Sequence, residues 1–341
     1  MKTLLSRILS SLTLASLALL PATADAALKV AWTPYPSWQV LPAMTLLPSK
    51  DNSFLAQRMK ETGGKVEIVP FKEYVPSITS LVAGQIDACA MTIQEALSFP
   101  TDSGIPVTII LVTSSSNGND AIFGPVGSKF KDLVANGIIL EEFSVSQFLV
   151  YEACRQNGIE PKSVAVRNTP GDEIAKVFLN AKKKPFVATW NPHVVRIEES
   201  GQAATLFTSK QMPGQIVDTI VIRNDRIKGN ESAIEAFVKA YFDYLNHWSK
   251  KENSDRALRA LASTVDMRTP EDVELFRKTV ETTRFYRTPA ETAALMEGPE
   301  LLATHDKVRA ALIQFGAFKG EKPETYRVMI DASWVKKAGA K

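Results

Sequence analysis

The sequence predicts an α/β protein of two lobes joined by a hinge, with a ligand cleft between the lobes and a helical tail on the first. Three observations carry this expectation. The chain has 341 residues, more than one ordinary core usually holds. Short apolar strands alternate with helical stretches in two successive sets, and helical periodicity then takes over to the end of the chain. In the first set, strands are expected near 28–32, 65–69, 86–91 and 106–112, with helices near 51–62, 73–83 and 93–99 between them. That alternation points to a mostly parallel sheet.

The pattern then restarts. Strands near 137–141, 162–167, 186–190 and 204–207 alternate with helices near 144–157, 171–181 and 192–199, and each set is too small to be the whole protein. After "MPGQ" (212–215) comes one more strand, "IVDTIVIRN", beyond which the chain reads as entirely helical. In 231–250, Ile234, Phe237, Val238, Tyr241, Phe242 and Leu245 fall at helical spacing and form a core-facing stripe. Helices near 254–263, 270–281 and 297–315 follow. A helical tail needs a surface to cover, so the chain is expected to cross back near 209–217, add a strand to the first sheet and cover that lobe. Residues 27–119 and 217–341 then make lobe one, and 120–216 lobe two.

The first 26 residues stand apart. Lys2 and Arg7 open a basic start, "ILSSLTLASLALL" is apolar but short, and Ala24-Asp25-Ala26 supplies small residues for cleavage, which reads as a secretory signal peptide. The run is too short and too rich in Ser and Thr to suit a membrane anchor. Without these residues the chain has 38 Lys+Arg against 36 Asp+Glu, a net charge of +2, which gives no electrostatic reason to expect nucleic acid. Cys89 and Cys154 lie in apolar segments and read as buried thiols rather than a disulfide. With three histidines and no ligand spacing, no metal and no cofactor are expected.

In open α/β sheets a ligand crevice lies beyond the carboxyl ends of the strands, and the unusual motifs of this chain sit there. "AWTPYPSW" (31–38) follows the first strand, and its prolines prevent a helix from starting, so Trp32, Tyr35 and Trp38 belong to a loop. These rings either line a cleft or pack under the helical tail. "TIQE" (92–95), "TSSSNGND" (113–120), "EEFSVSQ" (141–147), "RNTPGD" (167–172) and "TWNPH" (189–193) take equivalent positions. Ser144 reads as a helix N-cap, Ser114 to Asn119 fits a turn, and Glu142 suits a helix N-terminus.

The order of "SNGNDAIF", "EEFSVSQFLVYEACRQNGI", "RNTPGDEIAKVF", "ATWNPHV" and "MPGQIVDTIVI" resembles the periplasmic substrate-binding proteins of ABC importers in the nitrate, sulfonate and taurine group. "TTRFYRTPAETAALM" and "HDKVRAALIQFGAF" extend the resemblance to the subgroup encoded beside urea carboxylase. The resemblance implies a type II periplasmic binding protein fold, a monomer in the periplasm, an inner-membrane ABC permease as partner and a small-molecule solute. Carried over by position, it places ligand contacts at Trp38, Gln94, Asn117, Asp120, Glu142, Ser144, Ser146, Trp190 and Asp218, and the strand-end reading adds Trp32, Tyr35 and Asn191. It departs at "AMTLLPSKDNSFL" (43–55) and at Gln147, where a histidine is expected. Three acids at cleft positions, with Arg167 as the basic residue of the motifs, favour guanidinium or a urea-like molecule over a sulfonate or nitrate. A pyrimidine-synthase-like enzyme is the rival class, but only His193 of the three histidines lies near the cleft, too little for a nucleophile, base and orienting acid. No catalytic residue is assigned.

Overall fold

The computed structural model describes residues 27–340. Residues 1–26, to which the signal-peptide reading applies, lie outside them. Strands β1 (Leu28–Trp32), β2 (Val66–Pro70), β3 (Ala88–Thr92) and β4 (Val107–Ser116) join β10 (Val217–Arg223), β11 (Thr283–Phe285) and β12 (Met329–Ile330) in one seven-stranded sheet. Its order is β11-β4-β10-β3-β1-β2, with β12 also on β4. Strands β5 (Asp120–Pro125), β6 (Ile138–Leu140), β7 (Val166–Asn168), β8 (Val187–Trp190) and β9 (Ala203–Thr208) form a second sheet in the order β7-β6-β8-β5-β9.

Two features differ from the sequence expectation. The sheets are mixed rather than mostly parallel: β10 runs antiparallel to both β3 and β4, and β5 antiparallel to both β8 and β9. Each of these strands follows a crossing between the sheets and so enters its sheet from the opposite end. The region after β10 is also not entirely helical. Strands β11 and β12 are three and two residues long, too short to show an alternating pattern, and they form because β4 leaves an edge to be paired. The helix expected near 297–315 is Pro299–Phe315, and a further helix, Pro289–Glu297, precedes it; each is opened by a proline at its first turn.

The helical tail packs where its apolar stripe directs it. Helix Glu231–Ser249 buries Ile234, Phe237, Val238, Tyr241, Phe242 and Leu245, and its main partner is helix Phe54–Thr62. The approach is close enough that a Cβ at Gly64 would lie 2.3 Å from the Ala233 amide nitrogen. Helix Pro270–Glu281 starts at a capping box of Thr269 and Asp272. Both cysteines are free and buried. No helix among the described residues is long and apolar enough to cross a membrane.

The chain crosses between the sheets twice, at 117–119 and at 209–216, and the crossings are bonded side by side. Ser116 N donates to Ile216 O at 3.0 Å and Gly118 N to Ser209 Oγ at 2.7 Å. Gly118 has φ +115°, and a Cβ there would lie 2.8 Å from the Lys210 side chain, so the turn needs glycine. Asn119 adds the tail: its Nδ2 donates to Thr282 O at 2.9 Å, and its Oδ1 accepts from Asn191 Nδ2 at 2.7 Å.

Candidate functional site between the sheets

A chain of four aromatic rings runs from the first sheet to the second. The loop after β1 turns at Tyr35, whose carbonyl accepts from Trp38 N at 3.0 Å, and brings the Tyr35 and Trp38 rings to 4.8 Å. Trp38 stacks on Tyr74 at 5.4 Å and 29°. Tyr74 meets Trp190, at the end of β8, edge-on at 5.7 Å and 67°. Tyr74 is thus in ring contact with Trp38 and with Trp190, and both tryptophans line the same space. The Tyr74 hydroxyl donates to Glu95 Oε2 at 2.8 Å and accepts from Thr92 N at 3.0 Å, which fixes the ring.

These rings enclose a space of about 10 Å³, completed by Thr92, Asp120, Val145, Ile216 and Asp218. That is room for about one water molecule. Asp120 comes from the first residue of β5 and pairs in register with Trp190, while Asp218 enters from β10. Each acid is held by one oxygen: Ser116 Oγ donates to Asp120 Oδ2 and Ser114 Oγ to Asp218 Oδ2. The other oxygen of each has no hydrogen-bond partner among the described residues, and the same holds for Glu95 Oε1 and Trp38 Nε1. Such buried groups are costly unless something completes them.

Burial sets the electrostatics. It pushes Asp120 up to about 7, and Asp218 and Glu95 are raised for the same reason. Glu141, buried beside the Trp190 ring, is also pushed up to about 7 by burial and then by the Glu95 charge. The Tyr35 phenol is raised well above its ordinary range by burial, then by the charges of Asp218 and Asp120. Among the described residues, no Lys or Arg lines the space.

Outside Tyr74 and Trp190 lies a second, open cleft of about 530 Å³. Trp32, Phe71 and Pro34 give it apolar walls, and Lys72, Arg196, Asp172 and Asp266 bring mixed charge. His193 lines this cleft; burial, then Arg196 and Lys176, push its imidazole down to about 4, so it is neutral at neutral pH.

Of the residues expected from sequence, the structure brings Tyr35, Trp38, Asp120, Trp190 and Asp218 together around the enclosed space. Gln94 is adjacent but committed: it contacts the Thr92 hydroxyl and donates to Gln215 O at 3.2 Å. Ser144 caps helix Val145–Gln156, accepting from Ser146 N at 3.2 Å, and Ser146 Oγ is buried without a partner among the described residues. Trp32 belongs to the outer cleft, and Asn191 bonds Asn119 of the first crossing and Thr282 of the tail. Asn117 and Glu142 are not brought in. Asn117 is exposed on the crossing turn, with its amide on Thr282 O, and Asn119 takes the inward position instead. Glu142 is half-buried, its amide on Asn168 Oδ1, and the inward acid is its neighbour Glu141. Gln147, where a histidine is expected, has its Oε1 on the Phe143 amide at 2.8 Å. Tyr74, Thr92, Glu95 and Glu141 are the residues sequence reasoning missed. Three of them lie in or beside "TIQE" and "EEFSVSQ", but Tyr74 starts a helix far from any strand-end motif used.

No cluster of three or more His, Cys, Asp or Glu among the described residues could hold a metal ion. Residues 59–243 match the family model described as NMT1/THI5 like, a span that includes strands of both sheets. No curated protein matches the sequence. Solved structures with the same fold include the alkanesulfonate-binding protein of Xanthomonas axonopodis bound to MOPS, at 13% identity and TM-score 0.69 over 86% of this chain and 94% of that one. A ligand-binding component of an ABC-type import system from Staphylococcus aureus, with zinc bound, gives 16% identity and TM-score 0.67 over 92% and 98%. The periplasmic nitrate-binding protein of Synechocystis gives 12% and 0.60 over 92% and 88%. The two-sheet α/β architecture is that of the periplasmic binding proteins.

Proposed function

The chain belongs to the NMT1/THI5-like family, and on that premise we propose that it is a solute receptor of an ABC importer, closing on a small nitrogen-rich cation or urea-like molecule, guanidinium first. The observation that carries this reading is the charge of the enclosed space. Asp120 and Asp218 face it, Glu95 and Glu141 lie close behind, and no Lys or Arg is among its described lining residues. A guanidinium ion donates N–H groups in one plane all round its edge and lies flat on aromatic rings, which suits unpartnered carboxylate oxygens beside Trp38 and Tyr74. A nitrate or sulfonate would meet carboxylates instead, at roughly 4 kcal/mol for each like-charge contact near 4 Å.

We assign 27–119 with 217–341 to lobe one, 120–216 to lobe two, and the hinge to the two crossings. In this reading residues 1–26 direct export to the periplasm, the receptor works as a monomer, and its partner is an inner-membrane permease. The urea carboxylase-associated subgroup is the one its solute would suit. The site residues are Tyr35, Trp38, Tyr74, Glu95, Asp120, Trp190 and Asp218. An enzyme on this fold finds less support. His193 faces the outer cleft, and burial pushes the Cys89 thiol up to about 12, so neither is a poised base or nucleophile beside the enclosed space.

Calorimetry at pH 8 with guanidinium, urea, taurine and nitrate tests the reading. Guanidinium is expected to bind with a Kd of roughly micromolar or below and urea at least about tenfold more weakly, with no heat from the anions. Tight taurine or nitrate binding that survives Asp120→Asn would overturn the cation.

A further inference from the structure

The enclosed space and the outer cleft share two wall residues, Tyr74 and Trp190. We propose that these two rings are the partition that sets solute size: intact, it admits only a bare planar cation, and broken, it admits guanidines whose alkyl tail lies in the outer cleft. The inference rests on the cation reading above and adds the residues that decide among cations.

The partition is built from both lobes. Tyr74 stands at the start of helix Tyr74–Val82 beside the first sheet, and Trp190 ends β8 of the second; their rings meet edge to face at 5.7 Å. Neither ring is free to swing. Tyr74 is held through its hydroxyl by Glu95 and the Thr92 amide, and its face is covered by Trp38. Trp190 is paired in register with Asp120, and its six-membered ring lies over Gly171, where a Cβ would come within 2.5 Å. Glycine at 171 is what lets the indole lie this close.

The volumes on the two sides differ by far more than a methyl group. Inside, about 10 Å³ means that even an ion of one carbon and three nitrogens requires the walls to part slightly. Outside, about 530 Å³ bounded by Trp32, Phe71 and Pro34 would accommodate an alkyl chain along apolar surface. A tail on the cation cannot reach that cleft without displacing one of the two rings.

The test is a table of dissociation constants for guanidinium, methylguanidine and butylguanidine, measured by calorimetry on the full chain. The wild type is expected to favour guanidinium over butylguanidine by about 100-fold or more. Tyr74→Phe keeps the ring and should keep that ratio while weakening all three ligands, because Glu95 and the Thr92 amide lose a partner. Tyr74→Ala and, from the other lobe, Trp190→Ala should cut the ratio below about tenfold. An unchanged ratio in whichever alanine variant melts cooperatively would overturn the partition. So would a wild type that binds butylguanidine as tightly as guanidinium, whatever the variants do. A wild type that binds no guanidinium overturns the cation reading and this inference with it, whereas guanidinium binding with an unmoved ratio overturns the partition alone.

Discussion

The enclosed space holds about 10 Å³ and is faced by carboxylates, whereas the cleft on the other side of Tyr74 and Trp190 holds about 530 Å³ and carries Lys72 and Arg196 against Asp172 and Asp266. Charge and burial distinguish them as well as size. In the open cleft, opposite charges are solvated and screened, so each contributes little. In the enclosed space there is room for about one water molecule, and one oxygen each of Asp120, Asp218 and Glu95 is left without a partner among the described residues. There the cost of an unmatched charge is high, and so is the gain when a cation matches it.

The largest expected effect comes from removing that charge. The double variant Asp120→Asn with Asp218→Asn should lose guanidinium affinity by about 1000-fold, since each charge-assisted hydrogen bond contributes roughly 1.5–3 kcal/mol. Without ligand, the single variant Asp120→Asn should be more stable than the wild type at pH 8. A carboxyl raised from 3.8 to about 7 costs about 4 kcal/mol to hold ionised, as an order of magnitude. Chemical denaturation and calorimetry on the same samples check both halves. A destabilised apo variant would mean that Asp120 is satisfied in the folded chain and the comparison fails.

A smaller effect follows from pH. For Asp120 and Glu141 the folded-state pKa is raised, so the folded chain holds protons that the unfolded chain has released. Their contribution to stability is full below the ordinary carboxylate range and is lost as pH rises from near 4 through about 7. A cation needs the ionised forms, so its affinity should run the other way, falling about tenfold between pH 8 and pH 6, with protons released on binding near pH 7. Calorimetry in two buffers of different ionisation heat reads the proton count. Affinity that rises on acidification would point to an anion.

The smallest effect sharpens the contrast from outside. Lys72→Ala and Arg196→Ala should change guanidinium affinity less than about threefold and mainly alter its salt dependence. A tenfold change in either would make the outer cleft part of the binding site for the bare ion.

The sequence by itself determined the order of the elements, because periods of 2 and 3.6 residues are local properties of each segment. The stripe of Ile234, Phe237, Val238, Tyr241, Phe242 and Leu245 marked a covered helix, and the rings and acids after strands β1, β4 and β8 stood at strand ends, where either a cleft or the underside of the helical tail could take them. Tertiary structure decided what periodicity does not contain. Strand direction depends on which end of a sheet the chain re-enters, so β5 and β10 each run antiparallel to both of their own neighbours. Glu141 and Glu142 are adjacent, and Asn117 and Asn119 are separated by one glycine; packing against Trp190 and Thr282 chose which member of each pair faces inward. Tyr74 was illegible for the same reason. Its role comes from Glu95, Thr92, Trp38 and Trp190, contacts between segments distant along the chain, and burial among them supplies the low-polarity surroundings that raise the pKa values of Asp120, Asp218 and Glu95.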